Sequence, residues 1–165
     1  MKVVGLDLGG TKIAAGVFDG KRLLSKVVVP TPKEGGERVA EALAEAAERA
    51  EREAGVRGEA IGLGTPGPLD FRRGVIRFAP NIPGVQDFPI RRILEEATGR
   101  PVFLENDANA AALAEHHLGA AQGEESSLYL TVSTGIGGGV VLGGRVLRGE
   151  RGQGGELGHL TLLPG

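Results

Sequence analysis

The 165 residues predict an α/β protein of two lobes. Three observations carry this. Short apolar runs bounded by glycine alternate with segments of helical period. The hydrophobic share is 41%, enough for a core, and with only 4% aromatics and no Trp that core is built from Ala, Val, Leu and Ile. The order strand, Gly/Thr loop, strand, tight turn, strand occurs twice. In the first copy Thr11 precedes the turn residue Asp19 by eight positions, and in the second Thr134 precedes Gly143 by nine. Each lobe then offers a glycine-rich hairpin loop to a shared cleft. The small, polar stretch Gly119 to Ser126 divides the lobes, giving 1–118 and 119–165.

Val3 to Leu8, Ile13 to Phe18 and Leu23 to Val29 read as strands. Asp19-Gly20 lies between the latter two and predicts a two-residue hairpin turn with both residues at positive φ. Glu37 to Ala54 is a helix, since Val39, Leu43, Ala46, Ala50 and Ala54 form one stripe; Gly55 closes it. Glu45–Arg49 and Glu48–Arg52 are spaced for i,i+4 pairs. Ala60 to Leu63 is a short strand entering a proline-punctuated loop, and Val75 to Phe78 is another strand. Ile90 to Thr98 is a helix, Val102 to Glu105 a strand, and Asp107 to Leu118 a helix with Asn106 as its N-cap. Alanines at 108, 110, 111, 112 and 114 imply a close neighbour for that helix. Leu128 to Val132, Ile136 to Leu142 and Arg145 to Leu147 are strands, the last two joined by a Gly143-Gly144 turn.

Composition narrows the function. A formal charge of −2 argues against a polybasic nucleic-acid surface. Without Cys there is no disulfide and no cysteine-ligated zinc. No run approaches the roughly 20 apolar residues of a membrane span, and Met1-Lys2 leads straight into a strand rather than a signal sequence. The expectation is a soluble cytoplasmic protein.

Several stretches carry chemistry, each beside a plainer reading. In Asp7-Leu8-Gly9-Gly10-Thr11-Lys12, glycine N–H groups can approach an anion, Thr11 adds a hydroxyl, Lys12 a cation, and Asp7 a carboxylate for Mg²⁺ through water. The alternative is a simple turn. Gly5 and Gly10 imitate P-loop spacing, but Thr and Lys are reversed and a strand follows. Gly62 to Gly67 fits GxGxxG, yet Pro66 and Pro68 forbid the helix a dinucleotide needs, leaving a rigid cleft loop or a structural turn. In Glu105-Asn106-Asp107-Ala108-Asn109 a carboxylate opens a helix, where the dipole keeps it ionised. Such a group can accept the proton of a substrate hydroxyl during phosphoryl transfer, or merely cap the helix. Ser133 to Gly139 is a second anion cradle or a site of tight backbone packing. Gly155-Glu156-Leu157-Gly158-His159 offers a carboxylate and an imidazole suited to sugar hydroxyls, with His159 also a candidate metal ligand. His116 and His117 read as partly exposed, and Arg72-Arg73 and Arg91-Arg92 as solvated charge.

In order, DLGGTK (7–12), GLGTPGPLD (62–70), PNIPG (80–84), ENDANAAALAE (105–115), STGIGGG (133–139) and GELGH (155–159) resemble the ROK family of repressors and sugar kinases. The likeness spans the whole chain and is greatest to its bacterial glucokinases. It implies the actin-like, ribonuclease-H-like ATPase fold and ATP-dependent phosphorylation of a hexose, glucose favoured, with Mg²⁺. It implies Asp107 as the base. Asn106, Asn81, Glu156 and His159 would bind the sugar. Asp7, Gly9, Gly10, Thr11 and Lys12 would form the first phosphate loop, and Thr134 and Gly135 the second. A homodimer or homotetramer is also within the family pattern.

Two departures shape expectation. Family kinases run to roughly twice this length, and many carry a cysteine-rich structural Zn²⁺ knuckle after the histidine of the GELGH segment. Here His159 would be an orphaned ligand, and the 165 residues alone are expected to be a poor kinase. A non-catalytic sugar-binding module is the alternative. A sugar-responsive repressor fits less well, because the first strand begins at Val3 and leaves no room for a preceding DNA-binding domain.

Overall fold

The computed structural model describes residues 1–132, 135–150 and 152–159. They form two compact units, Met1–Asn106 and the residues from Asp107 onward.

The first unit runs β1 (Lys2–Leu8), β2 (Lys12–Asp19), β3 (Arg22–Pro30), α1 (Gly36–Ala54), β4 (Ala60–Thr65), β5 (Leu69–Asp70), β6 (Val75–Phe78), β7 (Gln86–Phe88), α2 (Ile90–Thr98) and β8 (Val102–Asn106). Its main sheet has the order β3-β2-β1-β4-β8. β1, β2 and β3 are antiparallel neighbours, whereas β4 and β8 run parallel to β1. Period-two alternation puts Val4, Leu6 and Leu8 on one face, in register with Ile13, Ala15 and Val17 and with Ile61 and Leu63. Val39, Leu43, Ala46 and Ala50 of α1 close over that face. Each large aliphatic side chain so buried contributes about 1.5–3 kcal/mol. β5, β6 and β7 make a separate small antiparallel sheet.

Local chemistry explains the ends. Gly55 stops α1 in the left-handed region, at φ 67°. The first hairpin differs from expectation: Asp19 pairs with Arg22, so Gly20 and Lys21 are the central residues, and only Gly20 has positive φ. Glu48 pairs with Arg52 as predicted, but Arg49 reaches forward to Glu53 rather than back to Glu45. Arg91 is not a solvated charge: it is half-buried, and its Nη2 donates to the Phe71 carbonyl at 2.9 Å.

The second unit runs α3 (Asp107–Leu118), β9 (Ser126–Val132), β10 (Ile136–Leu142), β11 (Arg145–Val146) and a 3₁₀ turn at Leu157–His159. Its sheet order is β11-β10-β9, all antiparallel. Gly143 and Gly144 are both at positive φ between paired Leu142 and Arg145, as the two-residue turn requires. α3 packs with β9 and β10, so this compact unit begins with that helix. His116 is buried rather than partly exposed, and its Nδ1 lies 2.9 Å from Ser127 Oγ.

Candidate functional site

In the first unit the parallel strands β1, β4 and β8 end along one edge of the sheet. There Asp7 stands beside Gly64, Gly64 beside Glu105, and Thr65 beside Asn106. Ligands of open α/β sheets gather at carboxyl strand ends. Asp7 is exposed and Asn106 half-buried.

The loop after β1 folds back tightly. Gly9 N–H donates to the Lys12 carbonyl at 2.9 Å, so that amide closes the turn and is not open to an anion. A Cβ on Gly9 would stand 2.9 Å from the Lys12 carbonyl oxygen, so any side chain there would crowd the turn. On Gly10 a Cβ would stand 3.0 Å from the Asn81 Cβ, so the loop lies directly against Asn81. Two residues 71 positions apart, assigned separately to phosphate and to sugar, therefore adjoin. In the GxGxxG look-alike the first four residues belong to β4, and Gly67, with φ 84°, is needed for packing: a Cβ there would meet the Phe78 carbonyl oxygen at 2.0 Å.

In the second unit the glycines of β10 are used for packing. A Cβ on Gly139 would stand 2.6 Å from the Ala112 Cβ and 3.0 Å from the Ala108 carbonyl oxygen, which explains both the glycine and the alanine-rich helix. On Gly138 it would meet Leu157, and on Gly158 the Ile136 carbonyl oxygen at 2.1 Å. A Cβ on Gly155 would lie 3.4 Å from Asn109 Oδ1. The first turn of α3 and the turn bearing Glu156 and His159 thus flank the same strand. Asp107 is exposed, and its Oδ1 accepts the Ala108 N–H at 2.8 Å. Glu156 and His159 are exposed as well. Gly135 has open space where a Cβ would be; Thr134 lies outside the described residues. Among the described residues no three His, Asp or Glu side chains are grouped to hold a metal.

Sequence reasoning missed a buried ion pair. Arg100 Nη2 donates to Glu51 Oε2 at 2.8 Å, Nη1 pairs with Oε1, and Nη1 also donates to the Gly58 carbonyl at 2.7 Å. Burial raises the Glu51 carboxyl, but the Arg100 hydrogen bond, the Gly58 N–H and the nearby guanidinium charges outweigh it and hold the group below its ordinary value. Asp70 is lowered too, first by the Arg73 N–H and then by the charge of Arg77. Two concavities run along α1, one lined by Glu51, Arg52, Arg57 and Arg100, the other by Pro30, Arg38 and Arg49; no predicted site residue lines either. Among the described residues no helix is long and apolar enough to cross a membrane.

The sheet order, the strand-end row and the glycine loops define an α/β protein with the actin-like fold of sugar-kinase ATPases. The ROK family model matches residues 3–165, and the chain belongs to that family. A glucokinase from Thermotoga maritima is 42% identical, over 99% of this chain and 52% of its own. The crystal structure of a ROK hexokinase from Thermus thermophilus superposes with a TM-score of 0.94 at 99% identity, covering 99% of this chain and 54% of that one. A ROK glucokinase from Streptomyces griseus, solved with glucose and AMPPNP, gives 0.89 at 41% identity, covering 99% and 52%. The chain spans about half the length of the relatives it matches.

Proposed function

We propose that these residues form the sugar-binding and phosphate-binding part of an ATP-dependent hexose kinase, with glucose the favoured acceptor and glucose 6-phosphate the product. The observation that carries the reading is the packing of the second unit, where the α3 turn bearing Asp107 and the turn bearing Glu156 and His159 share β10. In the first unit the abutment of Gly10 on Asn81 supports it independently.

Asp107 accepts the proton of the attacking hydroxyl. Asn106, Asn81, Glu156 and His159 bind the other hydroxyls and fix the sugar's orientation. Gly10, Thr11 and Lys12 offer amides, a hydroxyl and an ammonium to the nucleotide's phosphates, and Thr134 and Gly135 form the second loop. Asp7, an exposed carboxylate at a strand end, suits a water-mediated Mg²⁺; the ion neutralises phosphate charge when bound. Positioning and charge neutralisation supply most of the rate. Residues 1–118 and 119–165 are the two lobes of this arrangement, in a cytoplasmic enzyme of carbohydrate metabolism that assembles as a homodimer or homotetramer.

Coupled ADP release with glucose and MgATP tests the reading. The expected result is glucose-dependent release, well below the ordinary ~1–10³ s⁻¹ for these residues alone. Asp107→Asn is expected to cut it by about 10²–10⁴-fold while glucose affinity stays near normal. Release indifferent to that substitution removes Asp107 from the role. Calorimetry finding glucose bound but no nucleotide would favour a sugar-binding module instead.

A further inference from the structure

The loop Gly9–Lys12 is held from one side by a segment that no motif marked. Thr31 Oγ1 donates to the Gly9 carbonyl at 2.7 Å, and Thr31 N–H donates to the Thr11 carbonyl at 3.0 Å. Lys33 Nζ donates to the intervening Gly10 carbonyl. Three consecutive carbonyls are therefore tied by residues 31–33. Thr31 is only 4% exposed and sits between Pro30 and Pro32. Those rings fix φ on both sides and favour an extended Thr31, so its two donors are preset.

Peptide planarity turns this tie into a direction. In a trans peptide the N–H points opposite to the C=O of the same unit. Tying the Gly9 and Thr11 carbonyls to Thr31 turns the Gly10 and Lys12 N–H groups away from Thr31. Tying the Gly10 carbonyl to Lys33 turns the Thr11 N–H away from Lys33. No backbone acceptor is seen for the Gly10 or Thr11 N–H among the described residues.

We propose that Thr31, with Lys33 as auxiliary, is a positioning residue that presets the first glycine loop for anionic oxygens by holding its carbonyls back. The inference rests on the phosphate-loop reading for its ligand, but not for the clamp itself.

Thr31→Val keeps shape and backbone N–H and removes only the hydroxyl donor; Thr31→Ser restores the donor. In the 165-residue chain, Thr31→Val is expected to speed amide hydrogen exchange at Gly9 and Thr31 by about tenfold. It is expected to weaken MgATP, titrated against the amide shifts of Gly10, Thr11 and Lys12, by about tenfold, with glucose affinity unchanged. Thr31→Ser is expected to bring both back to within about threefold of the parent. Unchanged exchange and unchanged MgATP affinity in Thr31→Val overturn the proposal. Were the parent chain to show no amide response to MgATP while the exchange contrast persists, the clamp stands and the phosphate-loop reading fails. If Thr31→Val does not fold, Lys33→Met, at an exposed position, tests the same tie: a MgATP affinity equal to the parent's overturns it.

Discussion

The two units use similar strand patterns to opposite effect. In the first, alternation on β1, β2 and β4 buries Val4, Leu8, Ile13, Val17 and Ile61 completely. In the second, the same alternation leaves Leu128, Leu130, Val132 and Ile136 more than half exposed, while the other face of that sheet meets α3. An alternating sequence fixes which residues share a face; only a covering element decides whether that face yields stability. The contrast extends to glycine. In the first unit glycine lets a loop turn tightly against Asn81, and in the second it lets a helix approach a strand.

Leu43→Ala breaks the comparison hardest. It opens a hole under α1 and is expected to cost about 2–5 kcal/mol in denaturant unfolding. Gly139→Ala is next. Its methyl would lie 2.6 Å from the Ala112 Cβ and 3.0 Å from a backbone oxygen, so the second unit is expected to lose about 1–3 kcal/mol, seen as faster amide exchange in α3 and β10. A third, smaller effect is pH-dependent. Glu51 has its carboxyl lowered by folding, so its contribution is complete above its ordinary value of 4.5 and disappears as pH falls through the folded value. Unfolding measured across the acid range is expected to show a shallower loss in Glu51→Gln than in the parent. Leu130→Ala is the smallest, within about 0.5 kcal/mol, because the side chain is 55% exposed.

Most elements were legible because their period was clean. Val75–Phe78, Ile90–Thr98, Asp107–Leu118 and Ile136–Leu142 match the sequence reading residue for residue. Leu69–Asp70 and Gln86–Phe88 were not visible, being two and three residues long and depending on β6 for their pairing. The site's polar residues announce themselves through their glycine neighbours. Their partners do not: Asn81 meets Gly10 only through the fold, and Arg100 finds Glu51 across 49 residues. Thr31 left one trace, a hydroxyl residue enclosed by two prolines at a strand's end. His116 misled because exposure on a helix depends on what lies beside it, and Ser127 lies beside His116.

The seam between α3 and β10 is already at its shortest spacing, alanine on one side and hydrogen on the other. Neither wall can yield volume to the other. At that contact only the two smallest residue types fit, whereas Leu128 and Leu130 on the opposite surface of the same sheet meet no such wall among the described residues. The tightly packed side of the sheet is the one that meets the helix beginning with Asp107.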